Sequence, residues 1–386
     1  MDASAASLVL RWASDVKDPR RHNVVHPLPE MIVMALMAVL CGCDGWDDIA
    51  DFCDIRADWI AQLLPRSRGV PSHDTFDRVF ARLDPTQLEK LLCTWMKALN
   101  IVTEGKLLAI DGKSLRRSFE HAWDKSGMCH IVSAFATENG LVLAQLGVRD
   151  ADNELTAVKQ LLELVDLKGA TVTIDALGCQ REVAQQITDG KGNYVLCVKK
   201  NQPALHAKVK TLLDEAILDK MDGWSGSRSQ QTNGGHGRIE TRHTWYTTEV
   251  EHLGVDLLAM WPHLKAIAAI ERVREEIGKP PTTTRHYYII SDDTLTAERV
   301  GHIVRSHWGI ENQLHHVLDV SFDEDHSRVH KGHGAENLSR LRRLTANLLK
   351  LNGSKRSIKS QRKRCGWSEP YLFQTLFRGL PSSPPT

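Results

Sequence analysis

Leu107-Leu108-Ala109-Ile110-Asp111-Gly112-Lys113 and, further along, Thr171-Val172-Thr173-Ile174-Asp175-Ala176 are two short apolar runs, each closed by an aspartate. Aliphatic and β-branched runs of this length, ended by turn-forming residues, predict buried strands. Between them lie the β-rich runs His130 to Thr137 and Leu141 to Val148, separated by Asn139-Gly140, a dipeptide that closes tight hairpins. A helical stretch from Glu154 to Val165 precedes the second aspartate; a helix at Gln180 to Thr188 and a strand at Asn193 to Lys199 follow it. The order is βββαβαβ, a hairpin leading into parallel strands joined by helical crossovers. An aspartate at one strand end is by itself a turn residue. Here two of them leave the carboxyl ends of strands expected to be neighbours, where open α/β sheets place their ligands. Two carboxylates so placed repel each other unless a cation lies between them.

This strand order is that of a ribonuclease H-like core. Upstream, over residues 1–100, apolar residues recur at helical spacing: Ile49, Phe52, Trp59, Ile60 and Leu63, then Phe76, Val79, Phe80 and Leu83. Ser72 is a candidate N-cap, and Asp84-Pro85 ends one helix and starts another. The expectation is a small all-helical domain that either binds DNA as a helix-turn-helix or packs on its neighbour. Residues 204–296 do not continue the alternation. They contain Gly234-Gly235-His236-Gly237, a β-like run from Arg238 to Thr248, and strands near Leu264 to Arg274 and His286 to Ile290. The expected architecture is therefore α/β: a ribonuclease H-like catalytic core over 101–203, a β-rich insertion over 204–296, core-completing helices over 297–351 and a basic tail over 352–386.

Composition limits the function classes. Hydrophobic residues make up 42% and charged residues 25% of 386, which describes a folded chain of two or three domains. The longest apolar run, Met31 to Cys43, is shorter than the roughly 20 residues of a membrane span, and no signal-peptide pattern precedes it. The eight cysteines show no CxxC spacing and read as reduced thiols, so a cytoplasmic protein without membrane contact is expected. The net charge of +1 conceals a run from Arg340 to Ser368 without Asp or Glu, including Arg340, Arg342, Arg343, Lys350, Lys359, Arg362 and Lys363. That run reads either as a phosphate-binding surface or as a solvated helix and tail.

A third acid is expected from a helix across the sheet edge. In His307-Trp308-Gly309-Ile310-Glu311-Asn312-Gln313-Leu314, the apolar stripe Ile310, Leu314, Val317 and Leu318 leaves Glu311 at its border, where it can point along the sheet or into solvent. Three carboxylates suit a two-metal phosphoryl-transfer site with ions about 3.5–4 Å apart. Hard oxygen ligands select Mg²⁺ or Mn²⁺ over zinc. Lys113, Arg116 and Arg117 after the first aspartate, and Lys199, Lys200, Asn201 and Gln202 after the fifth strand, are candidate DNA contacts. Arg238 and Arg242 either contact DNA or pair with Glu240 between them. Trp308 either stacks on a base or belongs to the core. His315, His316, His326, His330 and His333 lack a cysteine and a closed four-ligand spacing, so they read as polar surface residues rather than a zinc site.

Several stretches carry a family resemblance: Pro71-Ser72-His73-Asp74-Thr75-Phe76, Ala109-Ile110-Asp111-Gly112-Lys113-Ser114, and Thr173-Ile174-Asp175-Ala176-Leu177-Gly178-Cys179-Gln180. Lys199-Lys200-Asn201-Gln202, Gly235-His236-Gly237-Arg238-Ile239-Glu240-Thr241-Arg242, His307-Trp308-Gly309-Ile310-Glu311-Asn312 and Leu318-Asp319-Val320 continue it across nearly the whole chain. In this order they resemble the insertion-sequence DDE transposases, specifically the group that includes the H-repeat-associated proteins. The resemblance implies that Asp111 and Asp175 are the catalytic aspartates and Glu311 the glutamate, with Asp319, Glu324 and Asp325 as alternatives for the third position. Where related transposases carry Tyr, Arg and Lys around that glutamate, this chain has Val304, His307 and Leu318. It further implies recognition of double-stranded DNA with terminal inverted repeats, metal-dependent cleavage, and attack of the freed 3′-hydroxyl on target DNA by a homodimer. A catalytically inactive or repurposed DNA-binding protein and a related metal-dependent nuclease are the rival readings.

Overall fold

The computed structural model describes residues 10–11, 13–22, 24–64, 68–98, 107–119, 128–148, 154–235 and 237–377. His236 and the expected domain boundary near residue 100 lie outside them. Nine strands form one mixed sheet: β1 (Leu107–Ser114), β2 (His130–Ala136), β3 (Leu141–Val148), β4 (Thr171–Ile174), β5 (Asn193–Val198), β6 (Gly226–Gly235), β7 (Arg238–Thr247), β8 (Ala266–Glu276) and β9 (Thr282–Ile290). Their order is β3-β2-β1-β4-β5-β9-β8-β7-β6. β2 runs antiparallel to β1 and β3, while β1, β4 and β5 are parallel, which is the ribonuclease H-like arrangement. Leu107 to Ile110 are all buried because helices cover both faces of the sheet. The helix Ala297–His307 packs through Ala297, Val300 and Ile303 on Leu107, Val195, Ala266, Ala268 and Ile270. Alternate residues of the same strands, Leu196, Ile267, Ala269 and Ile289, join the larger core on the opposite face.

The β-rich insertion over 204–296 extends the core sheet, since β9 pairs antiparallel with β5. It also begins with a helix, Pro203–Leu218, whose buried Leu205, Val209, Leu212, Leu213 and Ala216 recur at helical spacing. The helices between residues 28 and 98 pack on a later part of the chain. In the helix Leu28–Leu40 the whole run from Met31 to Leu40 is buried, which requires partners on every side. Those partners include the helix Gly334–Leu351, which also packs on the helices His73–Arg82 and Pro85–Ala98. The bundle thus joins both ends of the described chain.

The run from Arg340 to Ser368 is neither a tail nor mainly a phosphate-binding surface. Arg340, Arg342 and Arg343 are fully buried. Arg340 pairs with Glu89 at 2.9 Å and Glu336 at 2.8 Å, Arg343 pairs with Glu324 at 3.0 Å, and Arg342 donates to the Asp44 carbonyl at 2.7 Å. Arg362 pairs with Asp44 at 2.7 Å. The expected tail forms the helices Ile358–Trp367 and Glu369–Phe377, anchored by the buried Cys365, Leu372 and Leu376. A buried guanidinium requires a carboxylate or carbonyl partner, and the bundle provides one for each. All eight cysteines are free thiols. Among the described residues, no helix is long and apolar enough to cross a membrane.

Candidate active site

Strand register sets the first two acids side by side. Ile110 pairs with Ile174 in the parallel β1–β4 ladder, so Asp111 and Asp175 follow it at the same level on neighbouring strands. Asp175 Oδ1 accepts the Leu177 N–H at 3.0 Å, capping the short turn Ala176–Gly178. That turn is braced from the end of β5: Asn201 Nδ2 donates to the Ala176 carbonyl at 2.6 Å, and Gln202 Nε2 to the Cys179 carbonyl at 3.1 Å. Asn201, which is exposed, and Gln202, which is partly buried, are both expected as DNA contacts, and each uses its amide nitrogen to hold the loop that carries Asp175. Lys199 and Lys200 remain exposed, and Lys199 lines the adjoining cavity.

The helix Ala297–His307 leads into a π-helical turn, Glu311–His315, and then the helix His316–Phe322. Ile310, Leu314 and Leu318 are buried as the stripe predicts, and Glu311 stands at its border, 55% exposed. Single π turns are frequent where a helix must aim a side chain at a site. Here the turn brings in a residue that the sequence reading left on the surface. His315 is only 6% exposed, and its Nδ1 lies 3.8 Å from Asp111 Oδ2 and 3.7 Å from Glu311 Oε2. The donor atoms of Asp111, Glu311 and His315 all lie within 4.8 Å of one another.

A fourth carboxylate, Glu154, opens the helix Glu154–Leu164 and shares a small recess with Asp111 and Asp175. It lies so close to β1 that a Cβ on Gly112 would come within 2.7 Å of its Oε1 and displace that carboxylate. In sequence an acid in a first helical turn looks like ordinary complementation of the helix dipole, so nothing set Glu154 apart.

The charges act on one another. Asp111 is pushed up to about 7, first by burial and then by Glu311, Asp175 and Glu154, with only the Gly112 N–H opposing. Burial and the charge of Asp175 raise Glu154. Burial, with Arg343 and Lys113 nearby, pushes His315 down to about 3, so its imidazole is neutral and its contacts with the carboxylates are not ion pairs. The surroundings of Asp111 are thus electronegative and short of a compensating cation.

The alternative acids differ in this respect. Lys113 Nζ, itself buried, lies 2.8 Å from both Asp319 and Asp325, Arg116 lies 3.1 Å from Asp325, and Glu324 is buried against Arg343. Lys113, a candidate DNA contact in the sequence, neutralises this neighbouring cluster. Arg116 and Arg117 are exposed beside it.

A cavity of about 1200 Å³ opens beside the acids. Asp111, Asp175 and Glu311 line one side, and Arg238, Arg242, Arg272 and Arg274 from β7 and β8 line another, with Lys199 and Arg305. Arg242 pairs with Glu240 and also lines the cavity. Burial, with Arg305 and Arg272, holds its guanidinium below the usual value. Trp308, which also lines the cavity, is 58% exposed and not a core residue.

Ribonuclease H-like topology and clustered carboxylates at the ends of β1 and β4 describe an enzyme of the polynucleotide phosphoryl-transfer class. The family described as "Transposase DDE domain" matches residues 103–348, and the one described as "DDE_Tnp_1-associated" matches residues 11–96. The chain belongs to the DDE transposase family, whose enzymes depend on divalent metal. Over 372 residues it is 35% identical to "Putative transposase YncI" of Escherichia coli O157:H7, covering 95% of this chain and 94% of that one. Over 361 residues it is 32% identical to "H repeat-associated putative transposase YhhI" of Escherichia coli (strain K12), covering 92% and 93%. A solved structure, the piggyBac transposase synaptic complex with hairpin DNA, matches with a TM-score of 0.41 and 12% identity, covering 99% of this chain and 80% of that one.

Proposed function

We propose that this transposase cleaves DNA at the ends of its element and joins the freed 3′-hydroxyl to target DNA, with Asp111, Asp175 and Glu311 holding two Mg²⁺ or Mn²⁺ ions. The observation that carries this reading is the approach of Asp111 and Glu311, from elements far apart in sequence, to within ligand-sharing distance in an electronegative setting. When bound, such ions lower the pKa of an attacking hydroxyl and stabilise the departing oxygen. Glu311 is preferred to Asp319, Glu324 and Asp325 because those three already have basic partners.

The protein's own groups supply orientation. Arg238, Arg242, Arg272, Arg274, Arg305 and Lys199 neutralise backbone phosphates on the cavity side of the acids, and the exposed Arg117 and Lys200 are further phosphate contacts. Trp308 stacks on a base at the DNA end. Asn201 and Gln202 fix the loop of Asp175. The substrate is double-stranded DNA with terminal inverted repeats, handled by a pair of protomers in the cytoplasm.

The test is incubation of the protein with Mg²⁺ or Mn²⁺, a labelled element end and a target plasmid. Joined products are expected. Cleavage without joining would point to a nuclease, and a shifted but intact substrate to a binding protein. Asp111→Ala, Asp175→Ala and Glu311→Ala should each lower cleavage at least about 100-fold, since even residues behind metal ligands cost 10–100-fold. Full cleavage in any of them removes that residue from the site.

A further inference from the structure

His315 has no role in the chemistry described so far, yet its placement is unlike that of the other histidines near it. His316, His326 and His333 are exposed, whereas the π turn directs His315 between β1 and its own helix. Its Nδ1 sits 3.8 Å from Asp111 Oδ2 and 3.7 Å from Glu311 Oε2, too far for hydrogen bonds. Two donors bound to one ion at about 2.1–2.2 Å are about 3 Å apart when adjacent and about 4.3 Å apart when opposite. The two separations that involve His315 fall between those limits, and Asp111 and Glu311 lie within 4.8 Å of each other, a spacing from which one shared cation can gather all three.

A second observation is independent of those distances. His315 Nε2 is buried and has no hydrogen-bond partner, so nothing on the far side of the ring accounts for its burial. A polar side chain taken out of water without partners is costly, and an ion on Nδ1 would supply the one strong interaction that this ring otherwise lacks. The adjacent His307 is different: its Nδ1 is already within 3.0 Å of Thr173 Oγ1.

We propose that His315 is a nitrogen ligand to the ion held by Asp111 and Glu311, making this a mixed nitrogen and oxygen site that favours Mn²⁺ over Mg²⁺. The inference rests on the metal-binding reading of those two carboxylates. Its chemical basis is that Mg²⁺ is hard and retains oxygen ligands and water, whereas first-row transition ions accept imidazole readily.

The test uses the full chain with Mn²⁺ in an amine-free buffer, read by electron spin-echo spectroscopy. The wild-type spectrum should show ¹⁴N coupling that changes to the ¹⁵N pattern in protein labelled with ¹⁵N-histidine. The coupling should vanish in His315→Gln and persist in His307→Gln. Titration should show Mn²⁺ affinity falling on the order of 10–100-fold in His315→Gln, with Mg²⁺ affinity changed less than about 3-fold. Because the first spectrum is taken on wild-type protein, the result does not depend on a variant folding, and His315→Asn serves as a second replacement. Mn²⁺ bound in a manner lost in Asp111→Asn but without nitrogen coupling overturns the role of His315 and leaves the carboxylate site standing. Mn²⁺ binding indifferent to both Asp111→Asn and Glu311→Gln overturns the carboxylate reading itself. No Mn²⁺ binding to the free protein overturns the proposal, since three preformed donors need no DNA to assemble them.

Discussion

Arg340, Arg342 and Arg343 lie inside the helical bundle against carboxylates and carbonyls, whereas Arg238, Arg242, Arg272 and Arg274 line an open cavity. The first group lies within four residues of one helix and pairs with buried acids: Glu89, Glu336 and Glu324. The second is dispersed over two strands, and the β7–β8 register sets Arg242 directly across from Arg272. Like charges directly opposite on a sheet destabilise it. Beyond burial, Arg305 and Arg272 help hold Arg242 below its usual value beside an open cavity, a repulsion that an entering anion would relieve. Density of charge along the chain therefore says little about where a polyanion binds; charge left facing solvent and under mutual repulsion says more.

The comparison breaks first at the bundle. Glu324→Ala should leave Arg343 buried without its carboxylate and destabilise the fold by about 3–5 kcal/mol, read as a lower urea midpoint at unchanged slope. A change below 1 kcal/mol would mean that these arginines are not the internal struts described. Trp308→Ala comes next, with an expected loss of about 1–3 kcal/mol in affinity for a DNA end carrying an unpaired base and none in stability. Equal affinity in a fluorescence titration would remove the stacking role.

The double variant Arg242→Ala with Arg272→Ala sharpens the other half. Relief of the facing charges should leave stability unchanged or raise it by about 0.2–1 kcal/mol. The slope of log affinity against log salt should become shallower by about 0.9 for each phosphate contact removed. A loss of stability with an unaltered salt slope would show these arginines to be structural after all. The smallest effect is expected at the exposed Lys363, where Lys363→Ala should change stability by less than about 0.5 kcal/mol in thermal unfolding.

The legible parts of the fold were those with short-range patterns. β1 and β4 announce themselves as continuous apolar runs because both of their faces are covered, and the aspartates that follow share a level because the strands are parallel neighbours. Glu311 was legible through the stripe of Ile310, Leu314 and Leu318. His315 was not, since the same stripe suits an ordinary α-helix, and the π turn that directs His315 inward leaves no mark in the apolar spacing. Glu154 was hidden because its proximity to Asp111 depends on how one helix lands on the sheet. The inward turn of Arg340 to Arg343 was hidden for a related reason: its partner Glu89 lies 251 residues from Arg340. One clue was present, the uniformly apolar run Met31 to Leu40, which no one-sided helix needs.

That last contact bears on synthesis. A ribosome delivers the helices of residues 28–98 long before it delivers Gly334–Leu351, and until then Glu89 has no guanidinium and the helix Leu28–Leu40 lacks one of its walls. The first helices made must therefore wait, held by the nascent chain or by chaperones, for nearly the last ones. A reading frame interrupted before residue 334 yields a product that cannot close its bundle, however intact its carboxylates.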